Sequence, residues 1–205
     1  LKAKRLDASS YVFLGSWCRT KHITEQFQFK SFETIPYHWE DREKFDLDYK
    51  YIKFLYQDVL TRIVEVLNEY HSTNHQKKYW ELIVGPWLIK FIPLLYDRWE
   101  SIQVAINEFE FDLVSVNVNI NSDLILQDYN SAINSSKNDH WNYCVFSDMI
   151  IYMNIKKDKI IYTHIRDNSI NSKNIKNPSI FSKLIYSLDN LSLKINKIQK
   201  IALVD

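Results

Sequence analysis

Hydrophobic residues recur every three or four positions along two long stretches in the middle of the chain. In the first, from Asp41 to Tyr70, they keep to one side of a helix: Phe45, Tyr49, Ile52, Tyr56, Val59, Leu60, Ile63, Leu67 and Tyr70. In the second, from Asn74 to Glu108, one stripe carries Trp87, Leu88, Phe91, Leu94, Leu95, Ile102 and Ile106. This spacing is typical of amphipathic helices. The polar turn between the two stretches predicts an antiparallel helical hairpin over residues 41–108.

Two prolines interrupt the second stretch, one of them directly after a glycine, at Gly85-Pro86 and at Pro93. Each proline removes a helical hydrogen bond and bends or ends the helix. If Gly85-Pro86 only kinks the helix, the antiparallel arms place Arg98 opposite Asp46 of the first arm. His75, at the turn of the hairpin, is then on the order of 40 Å from Arg98, at 1.5 Å per residue. If Gly85-Pro86 is a true turn, that pairing is lost.

Arg98 falls inside the apolar stripe of the second helix. A buried guanidinium needs hydrogen-bonded partners, because an isolated buried charge costs several kcal/mol. Two partners fit: a carboxylate on a neighbouring helix, or an anionic group of a substrate. The fork of an arginine binds a carboxylate or a phosphate equally well.

Short β-branched and aromatic runs flank the hairpin at Tyr11–Leu14 and Phe111–Val118, and residues 138–153 have the pattern of another helix. The first run ends at Gly15, so the segment up to Cys18 is either a plain turn or part of a ligand site, since ligands gather where parallel strands end. A half-buried thiol is the expected state of Cys18.

Several side chains at the start of the first helix have no role in helix capping. Acidic residues such as Asp41 are typical of a first turn, where they cap the helix and favour its dipole. Capping does not explain His38, Trp39 or Arg42, which stand beside it. His140, followed by Trp141, repeats the His-Trp pair, although a histidine beside an aromatic ring is often a packing residue.

Composition narrows the function. The chain has 205 residues with a formal net charge of +1, which gives no electrostatic footprint for nucleic acid. Two cysteines make neither a disulfide framework nor a zinc spacing, and His38 with Asp41 is too few ligands for a metal site. No nucleotide-binding or cofactor motif occurs, so no cofactor and no metal are predicted.

The apolar segment 80–96 contains charges and a Gly-Pro, and it is shorter than the roughly 20 residues of a spanning helix. No signal peptide is present in these 205 residues, and a cytoplasmic location is expected, with peripheral membrane association left open. Beyond residue 153 Asn, Lys and Ile dominate. We therefore expect an N-terminal α/β domain over residues 1–153 and an extension over 154–205 that leads towards a further C-terminal domain.

Five motifs occur in a fixed order: YVFLGSWC (11–18), YHWEDR (37–42), NHQKKYWELIVGPWL (74–88), LYDRW (95–99) and DHWNY (139–143). Together they resemble a family of transferases found among the surface-polysaccharide and O-antigen biosynthesis genes of bacteria. The family pattern has an acidic residue where Ser16 stands and an arginine at or beside Lys78, so the chain departs from it at these places. Family members are considerably longer.

The resemblance implies a fold and a reaction. The fold would be α/β, the Rossmann-like N-terminal half of a two-domain glycosyltransferase-B-like enzyme, with the long helical hairpin inserted. The reaction would be glycosyl transfer from a sugar nucleotide donor to a carbohydrate acceptor, with this chain supplying the acceptor side and inactive alone. A non-enzymatic helical interaction module is the alternative.

The resemblance also assigns roles that suit the side chains. A general base takes a proton from the acceptor hydroxyl, for which His38 or Asp41 is the candidate. Aromatic rings stack on sugar rings and arginines bind phosphate. The expected substrate-binding residues are Gly15, Trp17, Trp39, Arg42, His75, Trp87, Arg98 and His140.

Overall fold

The computed structural model describes residues 10–18, 31–117, 128–153 and 160–163. Two long helices dominate this part of the chain, α1 (Arg42–His71) and α2 (Lys77–Glu108). The shorter elements are the strands β1 (Ser10–Phe13), β2 (Ser31–Thr34), β3 (Val114–Asn117) and β4 (Ile160–Thr163), a 3-10 turn (Ser16–Cys18), and the helices α3 (Tyr129–Ser135) and α4 (Asp139–Met153).

The helical hairpin predicted for residues 41–108 is confirmed. Asp41 caps α1 by accepting hydrogen bonds from the backbone N–H groups of Glu43 and Lys44. At the other end the backbone of Ser72 turns left-handed, with φ 53°, and its N–H closes the last helical turn. The two helices pack antiparallel along their apolar stripes.

Gly85-Pro86 does not end the second arm, since α2 runs through both prolines without a break. Gly85 is buried against α1, and a Cβ atom there would come within 2.8 Å of the Tyr56 hydroxyl oxygen. The glycine therefore permits the close approach of the two helices. The alternative in which Gly85-Pro86 is not a turn is the correct one, and with it the register that places Arg98 level with Asp46.

Asn68 ties the polar tip of the hairpin together. Its side-chain N–H donates to the carbonyl of His75, and its oxygen accepts bonds from Thr73, from the His75 N–H and from the Trp80 indole. The ring of His75 stacks on that of Tyr79, with centroids 4.0 Å apart. His75 and its neighbours thus form the turn at the tip of the hairpin.

The Rossmann-like α/β fold expected from the resemblance is contradicted. The described strands are four residues long and form two separate two-stranded parallel sheets, β1 with β2 and β3 with β4. A Rossmann sheet needs several adjoining parallel strands with helices on both faces. Here the two long helices occupy residues 42–108, where such a fold would alternate strands and helices, so the described architecture is mainly helical.

The hydrophobic core lies where α1, α2, α4 and β3 meet. Its fully buried side chains include Leu55, Leu60, Leu88, Val116, Val145 and Met149. No described helix has the length and apolar character needed to cross a membrane. Of the expected extension 154–205, only β4 lies within the described residues.

Candidate functional site

Three consecutive residues near the middle of α2 reach three different elements. Successive residues of an α-helix point 100° apart, so Tyr96, Asp97 and Arg98 fan out over about 200°. Tyr96 bonds to Asp48 on α1, Asp97 to His38 before α1, and Arg98 to Asn142 on α4. Part of the LYDRW motif therefore forms the hub of a polar cluster.

His38 lies in the connection that leads from the carboxyl end of β2 into α1. Its Nε2 is 3.1 Å from Oδ1 of Asp97, and both side chains are buried. The other oxygen of Asp97 accepts a bond from Arg98, and the backbone oxygen of Asp97 accepts one from Ser101. The carboxylate thus holds the imidazole and the guanidinium together.

Asp48 gathers three donors on one buried carboxylate. Its Oδ2 accepts hydrogen bonds from the Trp39 indole at 3.0 Å and from the Lys44 ammonium at 2.9 Å, and its Oδ1 accepts one from the Tyr96 hydroxyl at 2.8 Å. Lys44 also pairs with Glu100 at 2.8 Å. Lys44 and Asp48 are one helical turn apart on α1, and Tyr96 and Glu100 are one turn apart on α2, so the two pairs face each other across the hairpin.

The partly exposed rings of Trp17 and Tyr37 and the guanidinium of Arg98 form a surface beside this cluster. The Arg98 guanidinium lies 5.3 Å from the centre of the Trp17 ring and 5.9 Å from that of Phe146. Trp17 and Tyr37 are 42% and 41% exposed. Arg98 donates through Nε to Asn142 and through Nη1 to Asp97, and no described residue accepts a bond from its Nη2. We call Trp17, Tyr37 and Arg98 the Trp17–Arg98 surface.

Gly15 allows Trp17 to take its place in this surface. The indole folds back over the glycine, and a Cβ there would lie only 2.3–2.4 Å from three ring carbons. Any larger residue at position 15 would push the ring away from Arg98. The glycine is thus required by a close approach, since no glycine has a positive φ.

Burial and three nearby charged groups set the pKa values of Cys18 and Tyr37 at this surface. Burial raises the pKa of the Cys18 thiol, and Asp139 raises it further while Arg98 lowers it. A thiol with a raised pKa stays protonated near neutral pH, so Cys18 is a poor nucleophile. Burial and the Asp97 carboxylate likewise raise the pKa of Tyr37, which keeps its hydroxyl as a hydrogen-bond donor.

A comparison with known protein families accounts for almost the whole chain. The model of a family described as LIC12162 family transferase matches residues 2–204. The chain belongs to this transferase family. No curated protein and no solved structure matches it. The resemblance seen in the five motifs is confirmed at the level of a transferase family.

The structure brings some of the expected site residues of this family member together. Gly15 and Trp17 lie beside Arg98, which connects through Asp97 to His38. Trp39 joins them through its ring, which lies beside that of His38, tilted by 60° and with centroids 4.7 Å apart. These residues follow the carboxyl ends of β1 and β2 or belong to α2.

The other expected residues lie apart from the Trp17–Arg98 surface or have structural bonds. Asp41 is exposed and caps α1, and the Arg42 guanidinium lies 5.6 Å from the ring of Phe45. Trp87 stacks on Phe91, and His75 is at the hairpin tip, about 35 Å from Arg98 along the axis of α2. His140 is exposed on α4, with Nε2 3.8 Å from the Cys144 sulfur.

Sequence patterns missed Asp48, Glu100 and the bond between Asp97 and His38. Acidic residues in amphipathic helices usually face solvent, and nothing in their spacing marks a buried carboxylate. One signal was available: in the predicted register Asp48 is level with Tyr96 and Lys44 with Glu100. Charges and hydroxyls that coincide in this way between two apolar stripes indicate a buried polar cluster.

Proposed function

We propose that the chain takes part in glycosyl transfer from a sugar nucleotide to a carbohydrate acceptor in surface-polysaccharide biosynthesis. The Trp17–Arg98 surface is the place where an anionic sugar substrate binds. One observation carries the proposal: Arg98 is fixed by Asn142 and Asp97 over an exposed indole, with one edge of its guanidinium unbonded among the described residues.

The chemistry of the surface suits a phosphorylated sugar. Trp17 and Tyr37 are partly exposed, and the open parts of their rings give an apolar surface on which the C–H face of a sugar packs. Nη2 of the fixed Arg98 guanidinium offers N–H donors to a phosphate oxygen without first having to be ordered. Asp97 offsets part of the positive charge of Arg98, so we expect phosphorylated sugars to bind selectively but with modest affinity.

His38 belongs to the same centre and is the candidate catalytic group. A general base must come within about 2.6–3.2 Å of the proton that it removes. In this structure Nε2 is bonded to Asp97 and Nδ1 is buried, while Asp41 is exposed and bonded as a helix cap. His38 therefore offers one basic nitrogen, Nδ1, on the side away from Asp97.

The proposal is tested by calorimetric titration of the chain with a panel of sugar nucleotides and sugar phosphates. We expect at least one member to bind, and Arg98→Lys to weaken that binding roughly 10- to 100-fold, because a lysine keeps the charge but loses the fork of charged hydrogen bonds. Arg62→Lys is the matched control. Arg62 pairs with Asp58 on α1, about 24 Å along that helix from Asp46, the residue level with Arg98.

Two results would contradict the proposal. One is that no member of the panel binds to the wild-type chain. The other is that Arg98→Lys and Arg62→Lys bind the ligand equally well.

A second function, a non-enzymatic interaction module, is favoured by a different observation. Leu82, Ile83 and Ile89 on the outer side of α2 are 70%, 55% and 61% exposed. Apolar side chains in such a patch are typical of protein contact surfaces. Absence of any sugar ligand together with loss of self-association or partner binding in Leu82→Lys would favour this alternative.

A further inference from the structure

The second ring nitrogen of His38 has an unusual environment. Asp97 accepts a bond from Arg98, so it is a carboxylate and can only accept from the imidazole. The hydrogen at the 3.1 Å contact is therefore on Nε2, and a neutral ring carries its lone pair on Nδ1. Nδ1 is buried, has no hydrogen-bond partner among the described residues, and lies 3.9 Å from Oδ2 of Asp48.

A lone pair that faces a carboxylate oxygen calls for a cation between them. Glu100 adds a third ligand, since one donor atom each from His38, Asp48 and Glu100 lies within 4.8 Å of the others. Ligands at about 2.1 Å from a metal ion are at most about 4.2 Å apart. A shift of about half an ångström would bring all three into the coordination of one ion.

The outer contacts of this group are those of a metal centre. Histidine ligands usually donate their other ring N–H to a carboxylate, as His38 does to Asp97. Ligating carboxylates are usually hydrogen-bonded in turn, as Asp48 is by Trp39 and Tyr96. These contacts fix the orientation of the two buried ligands before any ion binds.

A side-chain cation already occupies the position between the carboxylates. The Lys44 ammonium is 2.9 Å from Asp48 and 2.8 Å from Glu100. Its side chain is 31% exposed, so it can turn out to solvent without disturbing the core. The Lys44 side is therefore the route by which an ion would enter and by which its remaining coordination positions would be reached.

We propose that His38, Asp48 and Glu100 form a binding site for one divalent transition-metal ion, which displaces the Lys44 ammonium. One imidazole and two carboxylates favour ions such as Mn²⁺ or Zn²⁺ over Ca²⁺, which prefers six to eight oxygen ligands. This binding does not depend on the proposed function. If that function holds, a bound ion takes up Nδ1, so His38 acts as a general base only in the ion-free chain.

The experiment is a titration of the full chain, first stripped with a chelator, with Mn²⁺ alone and with Zn²⁺ alone. Bound Mn²⁺ is counted by electron paramagnetic resonance and Zn²⁺ binding is measured by calorimetry. We expect one ion per chain, at least tenfold tighter binding in Lys44→Met, and at least tenfold weaker binding in His38→Gln and Asp48→Asn. His75→Gln and Asp46→Asn are the matched controls and should bind like the wild type.

Ring ¹⁵N resonances of His38 provide a second measurement that needs no ligand variant. In Lys44→Met, which keeps all three ligands, added Zn²⁺ should shift Nδ1 to a metal-bound value while Nε2 keeps its hydrogen. The proposal is overturned if neither wild type nor Lys44→Met binds an ion, if only His75→Gln weakens binding, or if Nδ1 carries a proton at neutral pH and keeps it when zinc is added.

Discussion

Replacement of Asp48 measures how much the polar cluster contributes to stability. Asp48 is 7% exposed and accepts three hydrogen bonds, from Trp39, Lys44 and Tyr96. In Asp48→Asn the amide oxygen can still accept from Trp39 and Lys44, while the amide N–H donates to the Tyr96 hydroxyl. Each bond then loses the negative charge of the carboxylate, which is worth about 1 kcal/mol per bond. We expect a loss of roughly 3 kcal/mol in the free energy of unfolding.

Asp48→Ala removes the acceptor altogether and leaves the buried donors without a partner. Breaking a buried charge network in this way costs about 3–5 kcal/mol. Since a domain is stable by only about 5–15 kcal/mol, the alanine variant should lose a large fraction of its stability and the asparagine variant a smaller one.

Urea unfolding followed by tryptophan fluorescence and by circular dichroism gives the two free energies. Asp46→Asn and Asp46→Ala on the exposed side of the same helix are the controls and should stay within about 0.5 kcal/mol of the wild type. If Asp48→Ala loses less than about 1 kcal/mol, or no more than Asp46→Ala, the cluster does not stabilise the hairpin and the reasoning is refuted.

Three further outcomes follow from single contacts. Gly15→Ala should push the Trp17 ring aside and weaken sugar binding severalfold while stability, measured by urea, changes by no more than about 1 kcal/mol, the size of an exposed cation–π contact. Asn68→Ala should cost about 2–3 kcal/mol at the hairpin tip, checked by thermal unfolding, and leave ligand binding unchanged. The pKa of Tyr96 is raised by burial and by its acidic neighbours, and that of Lys44 is raised by Glu100 and Asp48 although burial lowers it. Both pKa values in the folded chain lie above the ordinary 10.0 and 10.5. The stability that these two groups contribute is therefore complete below pH 10 and is lost as the pH rises further. Tyr96→Phe should make the fall of the free energy of unfolding with pH shallower.

The hairpin could be predicted because its information is local. Two apolar stripes of helical period and a polar turn define both arms, and the antiparallel geometry then fixes the register. That register, with Arg98 level with Asp46, is bracketed in the structure by the bonds from Tyr96 to Asp48 and from Lys44 to Glu100. Arg98 itself is turned away from α1 and towards α4, because it is two residues, or about 200°, from Tyr96.

The expected α/β fold was wrong because it rested on the resemblance and on short strands, and not on a periodic pattern. Runs such as Tyr11–Leu14 indicate a strand but not how many strands adjoin it. In the structure each described strand pairs with only one other. His38, which follows β2, is linked to α2 by its contact with Asp97. Partners that are 59 residues apart, as His38 and Asp97 are, leave no mark on local sequence spacing.

The proposal that sugar substrates bind to the Trp17–Arg98 surface is tested most directly by the indole N–H resonances of the six tryptophans. A two-dimensional ¹H–¹⁵N spectrum is recorded while the sugar ligand identified by calorimetry is added. The resonance of Trp17 should shift most and that of Trp39 less, whereas Trp80, whose indole is bonded to Asn68 at the far tip, should stay in place. A shift confined to Trp80 or Trp87, with Trp17 unchanged at saturation, would contradict the account.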